Sequence, residues 1–347
     1  ASRSFSITVQ NDAPSNHFNT VLYSGNGGTQ SITGLNFSPD LVWIKKRNTT
    51  EDHAWFDTVR GTQQQLSSNL TSADYTTSNA LSSFNSDGFT TGNNGATNNS
   101  SGTYVSWNFK AGGAAVANTD GSINSQVSVN NTLGFSIVKY TGSSPNQTVG
   151  HGLDATPEFI VVKNMDTAGN GWATQSPFSG GADYHMMLNG TQAAQNNVDW
   201  IWNDVNPTST VFSIGQNGIT NTSGDNYISY CFTSKPGFSK VGSYTGNGSA
   251  SGPMVQTGFE PAFLLIKCTS NSSTSWRLMD NKRNTSNPRS KYLEPQSNAA
   301  EANYNQVNFY ANGFQLITSD TSINGSGRTQ IYLAFAADGS TATPSLA

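Results

Sequence analysis

The sequence predicts an all-β protein made of three tandem β-sandwich domains. The first observation is a motif of a proline, one further residue, four apolar residues and a lysine. The second is a closing strand with period-two alternation, and the third is the lack of any helical apolar stripe. The motif occurs three times, as Pro39 to Lys45, Pro157 to Lys163 and Pro261 to Lys267. The distance from Pro39 to Pro157, or from Pro157 to Pro261, is the length of a whole domain and exceeds the ~20–50-residue units of solenoids.

Each copy of the motif predicts a strand that is buried on both faces. A proline is tolerated at the first position of a strand, because the N–H that it lacks lies outside the hydrogen-bonded ladder. The four apolar residues are short for a helix, and their β-branched and aromatic content favours a strand. We expect the terminal lysines, such as Lys45, to be solvated cations.

The closing strand of each repeat is the clearest alternating signal. In the first repeat, Val105, Trp107 and Phe109 alternate with polar or smaller residues, which predicts one core-facing side. The three closing strands are predicted at Tyr104 to Phe109, Tyr227 to Phe232 and Tyr332 to Ala337. Gly-Asn-Gly and Asn-Gly turns punctuate the chain, as expected for sandwiches.

These landmarks divide the chain into domains and connections. The predicted organisation is residues 1–16 as the end of a preceding β-domain and a linker, 17–113 as repeat one, 114–131 as a linker, 132–237 as repeat two, 238–340 as repeat three and 341–347 as a tail. The linker 114–131 is long and nearly uncharged, which predicts that repeat one moves independently. A charge at Val42 is therefore expected to unfold repeat one alone.

Composition excludes several classes of function. Charged residues make up 11% of the 347-residue chain and its formal net charge is −4, so no basic footprint for nucleic acid is present. No apolar run approaches the length that spans a membrane, and membrane insertion is not expected. Cys231 and Cys268 are predicted to be free thiols in small apolar slots rather than a disulfide.

No constellation of residues predicts catalysis, a metal site or a cofactor. Asp57 and Asp280 each precede an arginine by three residues, Arg60 and Arg283. We interpret them as local pairs that close surface turns, because repeat two lacks the aspartate. A pair of carboxylates converging as in a glycosidase is not evident, and no histidine pair has metal-ligand spacing. The protein is predicted not to be an enzyme.

One stretch predicts a ligand site. Trp200 and Trp202 lie two residues apart and would share one face of an extended segment, flanked by Asp199 and Asp204. An aromatic platform beside polar groups suits a sugar, which stacks on the rings and hydrogen-bonds to the flanks. The alternative is that the tryptophans cover the edge of the sandwich or pack on repeat three.

Longer motifs carry a resemblance to a known family. The segments Thr119 to Ile123, Gly134 to Gly142, Val149 to Leu153, Tyr227 to Phe232 and Gly237 to Gly248 resemble a repetitive domain of virion fibre and tail proteins of tailed bacteriophages, many from phages of marine bacteria and cyanobacteria. Arg3 to Val9 is similar to the final strand of the immunoglobulin-like domains that precede such repeats.

The resemblance implies a concanavalin-like or lectin-like sandwich, or a related jelly roll, on the virion surface. It implies a non-enzymatic structural role as a fibre, spike or capsid-decorating module, in contact with other virion proteins and with host-surface glycans. A homotrimer follows by analogy with phage fibres, and a pseudo-threefold monomer is the alternative. Two further classes remain open, a bacterial cell-surface or secreted adhesin or carbohydrate-binding module, and a polysaccharide depolymerase.

Overall fold

The structure, a computed structural model, describes residues 12–196 and 199–339. Its regular structure consists of antiparallel sheets, and the helices within the described residues are single turns. The prediction of an all-β fold is therefore confirmed. None of the helices in this part of the chain has the length and apolar character needed to cross a membrane.

The sheets form three units in chain order. The first unit contains β1 (Phe18–Ser24), β2 (Gln30–Thr33), β3 (Leu41–Lys46), β4 (Ala54–Asp57), β5 (Gly61–Leu66), β6 (Tyr75–Thr76), β7 (Leu81–Asn85), β8 (Gly88–Thr91) and β9 (Thr103–Phe109). The second contains β10 (Val116–Asn118), β11 (Ser125–Asn130), β12 (Phe135–Thr141), β13 (Gln147–Gly150), β14 (Phe159–Asn164), β15 (Trp172–Gln175), β16 (Tyr184–Met187), β17 (Gln195–Asn196), β18 (Val211–Ile214) and β19 (Asn226–Phe232). The third contains β20 (Ser239–Thr245), β21 (Met254–Gln256), β22 (Pro261–Cys268), β23 (Arg277–Asp280), β24 (Arg289–Tyr292), β25 (Ala302–Tyr310), β26 (Gly313–Leu316) and β27 (Thr329–Ala336). The helical turns are α1 (Gly95–Asn98), α2 (Gly218–Asn221) and α3 (Thr321–Asn324), with 3₁₀ turns at Pro14–Asn16, Pro177–Ser179 and Gly181–Asp183.

Each unit has an inner and an outer sheet. The inner sheets run β1-β9-β3-β4-β5-β6, β10-β11-β12-β19-β14-β15-β16-β17 and β20-β27-β22-β23. The outer sheets run β2-β8-β7, β13-β18 and β21-β26-β25-β24. The three inner sheets share a four-strand pattern in which the closing strand lies between the first strand and the motif strand.

The registers of the inner sheets define which residues are equivalent. Trp43 pairs with Trp107, Val161 with Tyr230 and Leu265 with Leu333. Trp107, Tyr230 and Leu333 therefore occupy the same position in the three units, and so do Phe109, Phe232 and Phe335 two residues further along. These equivalences underlie the comparisons between units below.

The motif strands are buried on both faces, as predicted. In β3, Leu41 and Trp43 face one apolar cluster, whereas Val42 and Ile44 face another, and all four are at most 2% exposed. The second cluster lies between the two sheets of the first unit. Corresponding clusters lie between the sheets of the second and third units.

The first cluster is shared by all three units. Its aromatic members include Trp43, Trp107 and Phe109 from the first unit, Tyr230 and Phe232 from the second, and Phe263 and Phe335 from the third. The equivalent phenylalanines Phe109, Phe232 and Phe335 contact one another, with ring centroids 5.3–6.2 Å apart, the usual range for aromatic pairs. Three equivalent side chains in mutual contact place a pseudo-threefold axis at the centre of the molecule.

The contacts between units close into a ring. The indole Nε1 of Trp172 in the second unit donates to the carbonyl of Ser67 in the first, at 3.1 Å. The indole of Trp276 in the third unit donates to Met187 of the second at 3.0 Å. His53 of the first unit lies 3.1 Å from the carbonyl of Glu294 in the third. His53, Trp172 and Trp276 occupy equivalent positions, at the start of the strand that follows the motif strand or directly before it, so equivalent side chains join all three pairs of units.

The prediction of a flexible linker at 114–131 is wrong. Strands β10 and β11 lie in this segment, and β11 pairs along its length with β12. Val127 pairs with Val138 and is buried in the second unit's own cluster. The segment is thus an extension of the inner sheet, and the first and second units are not free to move independently.

The described ends of the chain meet. The backbone N–H of Ser15 donates to the Asp338 carboxylate at 2.9 Å, which places the first and last described residues at the junction of the third and first units. The predicted preceding domain and tail lie mostly outside the described residues, in 1–11 and 340–347. We call the junction of the third and first units the closing seam.

Candidate functional site

The loop at residues 199–205 carries the predicted ligand site, and its backbone is not extended. Asp199, Asn203 and Asp204 have positive φ angles of 63°, 55° and 50°, which lie in the left-handed region and interrupt the two-residue alternation of an extended strand. Trp200 is 57% exposed, whereas Trp202 is 1% exposed. The platform of two tryptophans predicted from the sequence is therefore wrong.

Trp202 belongs to the core of the second unit. Its indole lies in the cluster between the two sheets, with Ile201 beside it. The alternative that the tryptophans cover the edge of the sandwich or pack on repeat three does not describe Trp202 either, because its indole lies between the two sheets of the second unit. Its burial leaves it unavailable for stacking on a ligand.

Trp200 is held outward by a rigid backbone. Its carbonyl accepts a hydrogen bond from the N–H of Asn217 at 2.9 Å, and the carbonyl of Ile201 accepts one from Gly215 at 2.8 Å. A Cβ at Gly215 would lie 2.5 Å from the Trp200 carbonyl oxygen, so only glycine permits this approach. Asp199 and Asp204 are exposed in the same loop. The side chains of Trp200, Asp199 and Asp204 form what we call the Trp200 surface.

A second exposed aromatic group lies on the outer sheet of the third unit, and sequence reasoning missed it. Tyr310 is 41% exposed, and its hydroxyl lies 3.1 Å from the Asn308 amide and 3.4 Å from Gln315. The signal was the alternation of buried Val307 and Phe309 with outward Asn308 and Tyr310. This face offers an aromatic ring next to amides, as the Trp200 surface offers one next to carboxylates.

The two Asp–Arg pairs close turns as predicted, but they are buried. The guanidinium Nε of Arg60 donates to Asp57 at 2.6 Å, and that of Arg283 donates to Asp280 at 2.6 Å. These four side chains are at most 1% exposed. The prediction of a surface pair is wrong, because the neighbouring unit covers each turn. Burial alone would raise the pKa of Asp280, yet Arg283 holds it below its ordinary value.

Each buried aspartate also binds the neighbouring unit. The Tyr230 hydroxyl of the second unit donates to Asp57 at 2.8 Å, and the Trp107 indole of the first unit donates to Asp280 at 3.0 Å. In the third unit the equivalent of these donors is Leu333, which has no donor to offer. The second unit, whose turn faces the third, has Ser176 in place of the aspartate. The hydrogen-bond donor and the aspartate are thus both absent at the junction of the second and third units, which explains the missing aspartate of the second unit.

The three motif lysines are buried, so the prediction of solvated cations is wrong. Lys45, Lys163 and Lys267 are each 0% exposed. Their ammonium groups donate to the carbonyl of the following residue at 2.6, 2.7 and 2.9 Å respectively. Burial lowers the pKa of each from 10.5 to about 8. Alternation along the motif strand points these side chains to the shared side of the sheet, where the neighbouring unit covers them.

Because these lysines are buried, we expect the free energy of unfolding to rise with pH. The unfolded chain keeps the lysine protons up to pH 10.5, whereas the folded protein loses them above about pH 8. The unfolded state therefore binds more protons in this window, and the free energy of unfolding increases by up to ~1.4 kcal/mol per pH unit for each lysine. We expect the melting temperature to rise between pH 8 and pH 9.

The matched variant replaces Lys45, Lys163 and Lys267 by methionine, which keeps the side-chain length and removes the charge. Melting curves of this variant should be nearly flat over the same pH interval. An equal pH dependence in parent and variant would show that other groups cause it.

His53 and the two cysteines are buried titratable groups. Nδ1 of His53 accepts a hydrogen bond from the Trp43 indole at 2.8 Å, and burial lowers the pKa of His53 well below its usual value. Cys231 and Cys268 are free and buried, as predicted, and burial raises the pKa of Cys231 to about 12. Within the described residues, no group of three histidine, cysteine, aspartate or glutamate side chains is placed to hold a metal ion.

The fold and its surfaces define a class of protein: three double-sheet β units joined into a closed ring around one aromatic core. The chain belongs to the family called domain of unknown function DUF7483, whose match spans residues 13–338. The match includes all three units and ends at the residues that meet across the closing seam. No curated protein matches the chain.

Proposed function

We propose that the protein is a non-enzymatic virion structural module, part of a fibre, spike or capsid-decorating protein, that attaches to glycans on a host surface. The observation that carries the glycan-binding part is Trp200, 57% exposed on a loop whose backbone is fixed by hydrogen bonds. An exposed indole beside the Asp199 and Asp204 carboxylates offers a ring for stacking and acceptors for sugar hydroxyl groups. The resemblance of the repeat motifs to phage fibre and tail domains supports the location on a virion.

In this proposal each double-sheet unit is a lectin-like or jelly-roll sandwich, and the three form one rigid display module. Fibres and spikes built as trimers place three copies of a domain around an axis. Here one chain places three units around its own pseudo-threefold axis. A single chain could therefore supply the three domains that a trimeric fibre takes from three chains. A solution mass near 36.9 kDa would support a monomer over a homotrimer.

The glycan-binding part predicts that Trp200→Ala weakens attachment at least tenfold. A sugar that covers ~60 Å² of the indole gains ~1.5 kcal/mol at ~25 cal/mol per Å² of apolar surface, so a loss of ~1.4 kcal/mol or more, which is tenfold in affinity, is expected. The measurement is binding of labelled protein to bacterial capsule and lipopolysaccharide preparations. Tyr310→Ala removes another exposed aromatic and is the matched control for adhesion at the Trp200 surface.

Equal binding by the parent and Trp200→Ala would remove the Trp200 surface from the proposal. An equal loss in Tyr310→Ala would move the ligand to the outer sheet of the third unit. New reducing ends after incubation with the same polysaccharides would contradict a non-enzymatic role and identify a depolymerase.

A bacterial cell-surface or secreted adhesin is the second candidate, because an exposed tryptophan on a rigid module serves an adhesin equally well. Mass spectrometry of purified virions separates the two. Detection of this chain together with capsid and tail proteins supports the virion module, and its presence only in the cell-surface fraction of the host supports the adhesin.

A further inference from the structure

The Trp200 surface lies in a part of the chain that is poor in cations. Between Lys139 and Lys235 the sequence contains seven aspartate and glutamate residues but a single lysine or arginine, Lys163. Lys163 is fully buried, so this stretch presents neither a lysine nor an arginine to solvent. A surface whose charges have one sign attracts ligands of the opposite sign and repels those of the same sign.

The two carboxylates of this surface are free to bind a ligand. Other acids of the second unit are already engaged: Asp154 pairs with Lys235, and Asp225 accepts two hydrogen bonds, both at 2.8 Å. Asp199 and Asp204 are exposed, and neither forms a hydrogen bond or an ion pair with the residues that the structure describes. Their hydrogen-bonding capacity is therefore available to a ligand.

The loop that carries these groups is compact and fixed. An extended segment would separate residues 199 and 204 by ~17 Å, but the left-handed φ angles at both ends of this loop turn the chain. The Ile201 carbonyl accepts a hydrogen bond from the Thr220 hydroxyl at 3.0 Å, and the Asn203 side chain accepts one from the Asn146 amide. The indole and both carboxylates thus stand on one short, preorganised segment, which lowers the entropic cost of binding.

We propose that the Trp200 surface prefers a glycan that carries a protonated amine, as in a glucosamine residue with a free amino group. This inference rests on the glycan binding proposed above. An ammonium group is attracted to the face of an indole, the strongest aromatic partner for a cation. It also donates up to three hydrogen bonds, which the free carboxylates accept. An N-acetylated sugar keeps the stacking but loses the charge, and an acidic sugar meets charges of its own sign.

The test compares two oligosaccharides that differ only at their amino groups, the glucosamine tetramer with free amines and its fully N-acetylated form. Isothermal titration calorimetry of the intact chain at mildly acidic pH, where the sugar amines are protonated, gives both affinities. We expect the free-amine tetramer to bind about tenfold more tightly, because an exposed cation–π contact and an exposed ion pair each contribute roughly twofold to fivefold. Added salt should reduce this preference, since it screens exposed charges.

The matched variant is Asp199→Asn with Asp204→Asn. Both positions lie in the left-handed region, which asparagine adopts as readily as aspartate, so the loop is retained while both charges are removed. The preference for the free amine is expected to fall to about threefold, the part that the cation–π contact supplies. The control, Asp120→Asn with Asp154→Asn, removes the same charge from other loops of the second unit and should keep the full preference.

Trp200→Ala should bind neither tetramer. If the parent binds both tetramers equally and Trp200→Ala binds neither, the amine preference is overturned while the glycan-binding role of Trp200 stands. The proposal is also overturned if the preference survives in Asp199→Asn with Asp204→Asn, or if it falls equally in the control, which would assign it to the overall charge of the second unit. Absence of binding of both tetramers overturns it as well, and the Trp200-dependent binding to capsule and lipopolysaccharide then decides the proposed function by itself.

Discussion

The Val42→Asp variant is expected to lose protease resistance in all three units, and not in the first alone. Val42 is fully buried between the two sheets of the first unit. A carboxylate placed there loses its hydration without gaining a partner, at a cost of several kcal/mol. That cost is comparable with the entire stability of many domains, ~5–15 kcal/mol.

The damage spreads because the units share their core. Unfolding of the first unit removes Trp43, Trp107 and Phe109 from the central cluster, and Phe109 contacts both Phe232 and Phe335. It also opens two of the three seams of the ring. The remaining units would expose an aromatic face that is large relative to what they still bury, so they are not expected to be stable by themselves.

Limited proteolysis with mass spectrometry of the fragments measures this spread. Val116→Asp is the matched control, because Val116 is 65% exposed on β10 and should tolerate a carboxylate. A protease-resistant fragment covering residues 132–237 or 238–339 in Val42→Asp would show that the units fold independently. Full resistance of residues 17–113 would instead contradict the burial of the central strand.

The central strands could be predicted from the sequence because burial on both faces leaves a local signature. A run such as Leu41 to Ile44 has no polar position, and three copies of the run exclude chance. The burial of the lysine that follows this run leaves no such local signature. Lys45 is covered by another unit, and sequence-local reasoning sees only the end of a strand, where a cation is normally solvated.

The ring of three units could not be predicted from the sequence either, because its contacts join residues of different repeats. The segment 114–131 has the low charge and small residues of a linker, and only the spacing of Val127 and Val129 indicates β11. The buried Asp–Arg pairs have the spacing of exposed turns, since what buries them is Tyr230 or Trp107 from a different repeat. Contacts between repeats depend on how the units assemble, and that information is distributed over the chain.

The alignment of the third repeat shows a further limit. Sequence matching places Tyr332 with Tyr104 and Tyr227, but the sheet registers place Gln330 at that position, two residues earlier. The hydroxyls of Tyr104 and Tyr227 each donate to the first residue of a helical turn, Gly95 or Gly218, at 2.8 Å. Matching the tyrosines by identity gave the wrong alignment, whereas the alternation of apolar residues at Leu333 and Phe335 indicates the correct core-facing positions.

The Asp57→Ala variant is expected to lose ~3–5 kcal/mol of stability, because it leaves the buried guanidinium of Arg60 without its main counter-ion. The Asp57 carboxylate accepts four hydrogen bonds, from the backbone N–H groups of Val59 and Arg60, the Nε of Arg60 and the hydroxyl of Tyr230. Arg60 keeps a second acid, Asp74 at 3.2 Å, which places the expected loss towards the lower end of this range.

The contact with Tyr230 joins two units and is measured by a double-mutant cycle. Tyr230→Phe alone should cost ~1.5–3 kcal/mol, the usual contribution of a hydrogen bond to a charged group. In the Asp57→Ala background, Tyr230→Phe should cost clearly less, since the hydroxyl has already lost its acceptor. Urea unfolding gives the four stabilities, and the difference is the coupling free energy across the seam.

Tyr140→Phe provides the control cycle, because the Tyr140 hydroxyl donates to the Thr220 carbonyl within the second unit, at 2.8 Å. Its coupling to Asp57 should be near zero. If Asp57→Ala proves too unstable to measure, Asp57→Asn retains the shape and an acceptor oxygen and should give a smaller coupling of the same sign. A coupling for Tyr230 no larger than that for Tyr140 would mean that the Tyr230–Asp57 hydrogen bond does not stabilise the junction of the first and second units, and that the replacement of this pair by Leu333 and Ser176 between the second and third units has no energetic cause.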